Sequence, residues 1–185
     1  MLSEDKRIKT KAQLKEFLDI ECARYPLHGR RYISYLLQLS EGAILRRHTV
    51  LLRKTEYYIN SGKRIRAYLY WAMLMRVQNR YCIQIPLNCC DKGLYIAHVY
   101  PTCMNGNVTV GKNCRIMPFV KIAGDDVVNK TPVIGDNVTL GIDCTVFGDV
   151  YLADGITVGA GAVVTKSFYE PGISIAGVPA KKINK

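Results

Sequence analysis

Residues 134–166 read IGDNVT LGIDCT VFGDVY LADGIT VGAGAV VTK, a pattern that repeats every six residues. Aliphatic residues stand at 134, 140, 146, 152, 158 and 164. Four places after each of the first five comes a small or β-branched residue: Val138, Cys144, Val150, Ile156 and Ala162. The same phase runs upstream through VGKNCR and IMPFVK, with aliphatics at 110, 116 and 122. A period of six is neither the 3.6 of a helix nor the 2 of an alternating strand. It marks a repeat architecture in which each unit buries its apolar residue by stacking on the next. Six residues make a short strand and a turn, and three such sides make a triangular coil. Gly, Asn and Asp fall at the corners, where tight turns are needed. The predicted fold is therefore mainly β, a parallel β-helix.

The period breaks once. Between Ile122 and Ile134 lies AGDDVVNKTPV, polar and rich in turn formers, and the phase resumes after it. This segment reads as a loop projecting from a corner, a common position for functional residues.

The first 85 residues lack the period and read as α-helical, with the coils and a C-terminal tail over 86–185. Ser3-Glu4-Asp5 reads as the cap of a first helix carrying Ile8, Leu14, Phe17 and Leu18. Residues 31–60 carry a longer helical pattern with Leu36, Leu37, Ala43, Ile44, Leu51 and Leu52 as core, stopped by Asn60-Ser61-Gly62. A further helix over 63–80 has Ile65, Leu69, Ala72, Met73 and Met75 as its apolar residues, and its aromatics Tyr68, Tyr70 and Trp71 read as packing.

The chain carries a net charge of +11. Residues 1–85 hold 17 Lys and Arg against 7 Asp and Glu; residues 86–185 hold 9 against 8. The basic character thus belongs to the helical part. It implies solvated helix faces, or contact with an anionic partner such as a membrane surface, a lipid-linked glycan or substrate phosphates. No nucleic-acid-binding motif accompanies it. No apolar leader opens the chain, and the longest uncharged apolar run of the helical part, 67–75, is too short to span a bilayer. A soluble cytoplasmic protein is expected. Seven cysteines, an odd number without a CxxC, argue against a disulfide framework or a zinc cluster. Cys114 and Cys144 fall at the small position of a hexad and read as packing residues.

Of three histidines, His28 and His48 sit beside arginines and are expected to be solvated, whereas His98, in GLYIAH, opens the coil region.

The segments GLYIAH, GKNCRI, TPVIGDNVTLG, VGAGAVVTK and IAGVPAKKI together resemble the hexapeptide-repeat acyltransferases, nearest to their serine acetyltransferase-like branch. LLRKTEYY and CIQIPLN are similar to the members that act in polysaccharide biosynthesis. The resemblance implies a left-handed coil, and a homotrimer with acetyl-CoA as cosubstrate in the cleft between protomers. It implies His98 as general base, and leaves open the pairing of trimers into hexamers. By position, Gly141, Ile142, Ala160, Gly161, Thr165, Lys166 and Lys181 match cosubstrate contacts; no metal is implied. Imidazole titrates near neutrality, so it can take a proton from an alcohol as that alcohol attacks a thioester.

The sequence departs from true serine acetyltransferases at three places. Ala97 stands where they have Asp, Ile83 where they have the carboxylate that orients the histidine, and Thr131 where they have a second histidine. These departures favour a small-molecule or glycan acceptor, specifically the hydroxyl of a sugar or glycan precursor. Asp125 or Asp126 of the projecting loop is the candidate partner for His98. Serine O-acetyltransferase is the alternative, and a non-catalytic trimeric scaffold another. A zinc lyase on the same coil would need three histidine ligands.

Overall fold

A computed structural model describes residues 1–26, 37, 40–125 and 130–183. His28, Leu36 and Asp126 lie outside the described residues.

The first helix starts later than its sequence suggests. Ser3 makes no side-chain cap and precedes only a 3₁₀ turn, Glu4–Lys6. Helix α1 (Lys11–Cys22) begins instead at Thr10, whose hydroxyl accepts from the Gln13 amide while the Gln13 side chain accepts from the Thr10 amide. That reciprocal box satisfies two amides that a helix end leaves unpaired. Helix α2 (Glu41–Asn60) is capped by the Ser40 hydroxyl, which accepts from the Ala43 amide at 3.3 Å. After the Ser61-Gly62 turn, α3 (Arg64–Tyr81) packs against α2. Its buried face is Ala67, Leu74, Val77 and Gln78, so Ile65, Tyr68, Leu69 and Trp71 stand outward. The aromatics read as packing therefore divide: Tyr70 lies against Tyr58, while Tyr68 and Trp71 meet each other on the surface. Leu37 is likewise exposed, not core. No helix among the described residues is long and apolar enough to cross a membrane.

From Ile83 onward the chain winds through three parallel sheets. The first face holds β1 (Ile83–Gln84), β3 (Thr102–Met104), β6 (Lys121–Ala123), β9 (Thr145–Phe147) and β12 (Val163–Val164). The second holds β4 (Thr109–Val110), β7 (Val133–Ile134) and β10 (Tyr151–Leu152). The third holds β2 (Tyr95–Ile96), β5 (Arg115–Ile116), β8 (Thr139–Leu140), β11 (Thr157–Val158) and β13 (Ser174–Ala176), closed by the antiparallel β14 (Lys181–Ile183). The hexad aliphatics stack in register, Ile96 on Ile116 on Leu140 on Val158 on Ile175. Every described aliphatic from Val110 to Val164 in the hexad phase is at most 1% exposed. Each such side chain contributes roughly 1.5–3 kcal/mol on burial. Cys114 and Cys144 are fully buried in the same core, and burial pushes both thiols up to about 12. Between β6 and β7, Asp125 and Lys130 exchange backbone hydrogen bonds.

A buried ionic joint fastens the helices to the first coil. Arg53 of α2 donates from Nε and Nη2 to the Glu21 carboxylate of α1 at 2.9 and 2.7 Å, and from Nη1 to Glu56 at 2.9 Å. It also donates to the carbonyls of Cys90 and Asp91. Glu21 in turn accepts from the amides of Gly93 and Leu94, and Glu56 from that of Asn88. Desolvation holds the Glu56 carboxyl above its ordinary range despite Arg53. His48 is also fully buried, contrary to the solvated position expected of it. It lies one helical turn from both Leu45 and Leu52, on the face that α2 turns to the core, and the neighbouring Arg47 does not determine its side.

Candidate active site

The coil turns from its third face to its first at 97–101, 117–119, 141–143 and 159–161, whereas 177–180 link β13 to the antiparallel β14 on the third face. These turns stack along one edge. The amide of Ala97 donates to Ile116, Met117 to Leu140, Gly141 to Val158 and Gly159 to Ile175. His98 therefore stands at the head of a column that continues through Gly141, Ile142, Ala160 and Gly161. Four of the seven residues expected to contact the cosubstrate lie on one edge with the candidate base. Lys181 lies at the far end, its backbone opposite Ala176. Thr165 and Lys166 are elsewhere: they follow β12 at the next edge, exposed, with the Lys166 ammonium over the Phe168 ring at 5.6 Å.

The turn geometry explains much of this composition. At three of these rungs the chain adopts a left-handed conformation, φ being +65° at Phe119, +57° at Asp143 and +65° at Gly161. A side chain at such a position costs roughly 1–2 kcal/mol, which Gly161 avoids. Gly141 is glycine for another reason: a Cβ there would lie 2.5 Å from the Val158 carbonyl oxygen and 2.8 Å from the Gly159 carbonyl carbon. Coil stacking alone demands it. Ile142 is 47% exposed and Ala160 is exposed too, so the edge presents a small, partly apolar surface. Beside it, Gln84, Cys103, Phe119 and Lys121 line a shallow groove of about 270 Å³ on the first face, with Tyr100 packed on Phe119 at 5.2 Å.

His98 is held by groups that the sequence did not point to. Its Nδ1 lies 3.2 Å from Glu41 Oε2, and Glu41 Oε1 accepts the Val99 amide at 2.7 Å. Glu41 belongs to the first turn of α2. Two residues upstream of His98, the Tyr25 hydroxyl donates to the Ile96 carbonyl at 2.7 Å and accepts from its amide at 3.0 Å. The carboxylate that this chain brings to His98 is Glu41 of the helical part. Asp125 lies at the edge between the first and second faces, and Asp126 is outside the described residues. Ile83 and Ala97 are 0% and 8% exposed. Both pack into the coil core. Thr131 donates to the Asn107 carbonyl, away from His98.

No family model matches the chain. A serine acetyltransferase of Buchnera aphidicola subsp. Schizaphis graminum is 26% identical over 142 residues, 75% of this chain and 53% of that protein. The chain spans about half the length of the curated relatives it matches. Among solved structures, the soybean serine acetyltransferase apoenzyme superposes with a TM-score of 0.68 at 22% identity, covering 94% of this chain and 70% of that one. The serine acetyltransferase of Neisseria gonorrhoeae gives 0.67 at 20% identity over 95% and 68%. That of Brucella abortus strain S19 in complex with coenzyme A gives 0.63 at 19% over 94% and 67%. The fold is thus the left-handed parallel β-helix of hexapeptide repeats, and the relatives support a hexapeptide-repeat acyltransferase. They overturn the sugar or glycan acceptor: the relatives share the name serine acetyltransferase. They give no support to a membrane contact either.

Proposed function

We propose that this chain is a serine O-acetyltransferase that uses acetyl-CoA as cosubstrate, with His98 as general base. The observation that carries the reading is the His98–Glu41 pair at the head of a continuous edge of small and apolar residues. An ionised carboxylate only accepts hydrogen bonds, so Nδ1 of His98 carries its proton toward Glu41 and Nε2 keeps its lone pair. Nε2 takes the proton of the serine hydroxyl as the oxygen attacks the thioester carbonyl. The C–S bond then breaks, and the imidazolium returns the proton to the departing CoA sulfur. Both reactants meet on the enzyme, so proximity supplies much of the acceleration and no acyl-enzyme is needed.

The edge suits an elongated cosubstrate. Four strand spacings separate β2 from β13, about 19 Å at roughly 4.8 Å each. A chain laid along Gly161, Ala160, Ile142 and Gly141 would bring its thioester to His98 and leave its anionic end near Lys181. Thr165 and Lys166, one edge away, would reach the same ligand from a neighbouring protomer of a homotrimer. The exposed Ile142, Val133, Phe147 and Tyr151 of the coil are apolar surface that such a neighbour would cover.

The test is CoA thiol release from acetyl-CoA with L-serine, threonine, ethanolamine and water as acceptors. Release that needs L-serine and falls about 10²- to 10⁴-fold in His98→Ala is the expected result. Absence of serine-dependent release, or full turnover in His98→Ala, removes the proposal.

A further inference from the structure

We propose that Glu41 is the positioning residue of this site, a carboxylate lent by the helical part of the chain in place of one carried by the coil. The inference rests on His98 being the base, as proposed above, and adds what holds it. Three observations carry it.

First, the two oxygens of Glu41 divide their work. Oε2 meets His98 Nδ1 at 3.2 Å and Oε1 takes the Val99 amide at 2.7 Å. The second bond ties the carboxylate to the backbone next to the histidine, so the carboxylate and the ring keep a fixed relation. Such an outer partner selects the tautomer and the ring orientation. Second, the position where the resemblance places an orienting carboxylate in the coil is apolar. Ile83, where one would be expected, is fully buried. Third, the helix that brings Glu41 is itself fixed. Ser40 caps it, Arg46 donates to the carbonyls of Cys22 and Tyr25, and Arg53 locks it to the first coil through Glu21 and the Cys90 and Asp91 carbonyls. The helical region is therefore part of the catalytic apparatus: its docking places a group within reach of the base.

Glu41 could instead grip the ammonium group of the acceptor, and the experiment separates the two roles. Imidazole ¹⁵N spectra of His98 are recorded in the free full-length protein, wild type, Glu41→Gln and Glu41→Ala. The expected result is a protonated Nδ1 and a bare Nε2 in wild type, with the Nε2–H form gaining in Glu41→Ala. In turnover, Glu41→Ala should lower kcat about 10- to 100-fold, the usual cost of a misplaced group, with KM for both substrates within about twofold. Glu41→Asp should recover part of the rate. In a His98→Ala background, Glu41→Ala should cost nothing further, since the residue acts through the ring. An unchanged tautomer in Glu41→Ala, or a raised KM for the acceptor with kcat intact, overturns the proposal. A tautomer that shifts as expected without any serine-dependent turnover supports the role of Glu41 and removes the acceptor reading instead.

Discussion

The hydroxyl of Tyr25 both donates to the carbonyl of Ile96 and accepts from its amide, at 2.7 and 3.0 Å. Ile96 belongs to the first strand of the third face, which pairs with β5 on one side only. Its outer backbone groups would otherwise be buried without partners. One phenol thus stands in for a missing coil, two residues before His98. Burial holds that phenol well above the ordinary tyrosine range, so it stays protonated and keeps both bonds.

Tyr25→Phe keeps the ring and its stacking on Tyr95 but strips Ile96 of both partners. Unpaired buried backbone groups cost about 1–3 kcal/mol. Urea unfolding should show a loss of that size. Hydrogen exchange should localise it, with the Ile96 amide losing protection and the amides of β8 and β11 keeping theirs. A variant as stable as wild type, with Ile96 still protected, would mean that other groups satisfy this edge.

Arg53 gives a larger effect. Among the described residues its guanidinium is the sole cationic partner of two carboxylates, Glu21 and Glu56, all three side chains being at most 2% exposed. Arg53→Met removes the cation and leaves both carboxylates in the core, at a cost of about 3–5 kcal/mol. Arg53→Met combined with Glu21→Gln and Glu56→Gln should recover a substantial part, because the buried charges go with it. Non-recovery in the triple variant would show that the hydrogen bonds to Cys90, Asp91, Gly93 and Leu94, rather than charge balance, make the joint.

How far the sequence alone reaches is clear from these residues. The hexad phase from Val110 to Val164 is local information: apart from the step between Ile122 and Ile134, each aliphatic is six residues from the next, and the core is that list stacked. The loop after Ile122 could be read because it interrupts a regular pattern. His48 could not be placed by its neighbours, because helical phase and not adjacency sets burial. Glu41 was hidden more deeply. It lies 57 residues before His98, and nothing local relates a helix start to a coil corner. One signal was available: Glu41 is the single acid between Glu21 and Glu56 in an arginine-rich stretch. All three of those acids are engaged, two on Arg53 and one on His98.

His48 makes stability depend on pH. Burial is the largest cause, helped by Arg53, and holds its imidazole down to about 4. Gln78 Nε2 lies 3.3 Å from His48 Nε2 and also donates to the Ile85 carbonyl, so the ring accepts at Nε2 and is neutral. In the unfolded chain a histidine titrates near 6.5. The unfolded state therefore binds the extra proton first as pH falls, and the stability tied to a neutral His48 is complete above about 6.5 and lost down to about 4. At pH 5 the loss amounts to roughly 2 kcal/mol. Urea unfolding at pH 7.5 and pH 5 should show it in wild type, and His48→Gln should narrow the difference by about that amount. An equal pH dependence in the two proteins would place the titration elsewhere.

Two glycines of the same edge should lose stability for different reasons. A methyl group at Gly141 would meet the backbone of the next coil at 2.5 Å, where rigid stacking leaves nothing to yield. Gly141→Ala should therefore destabilise the coil by about 1–3 kcal/mol, as overpacking does, and lower the yield of folded protein. At Gly161 a methyl group meets nothing within 4 Å. Its backbone is left-handed, so Gly161→Ala costs about 1–2 kcal/mol and leaves the fold intact. The methyl group would, however, stand on the surface along which the cosubstrate is proposed to run. The expected outcome is a KM for acetyl-CoA raised severalfold with kcat and the KM for serine little changed. A Gly161→Ala enzyme with ordinary acetyl-CoA kinetics would move the cosubstrate off this edge, and leave its glycine to the demands of the turn alone.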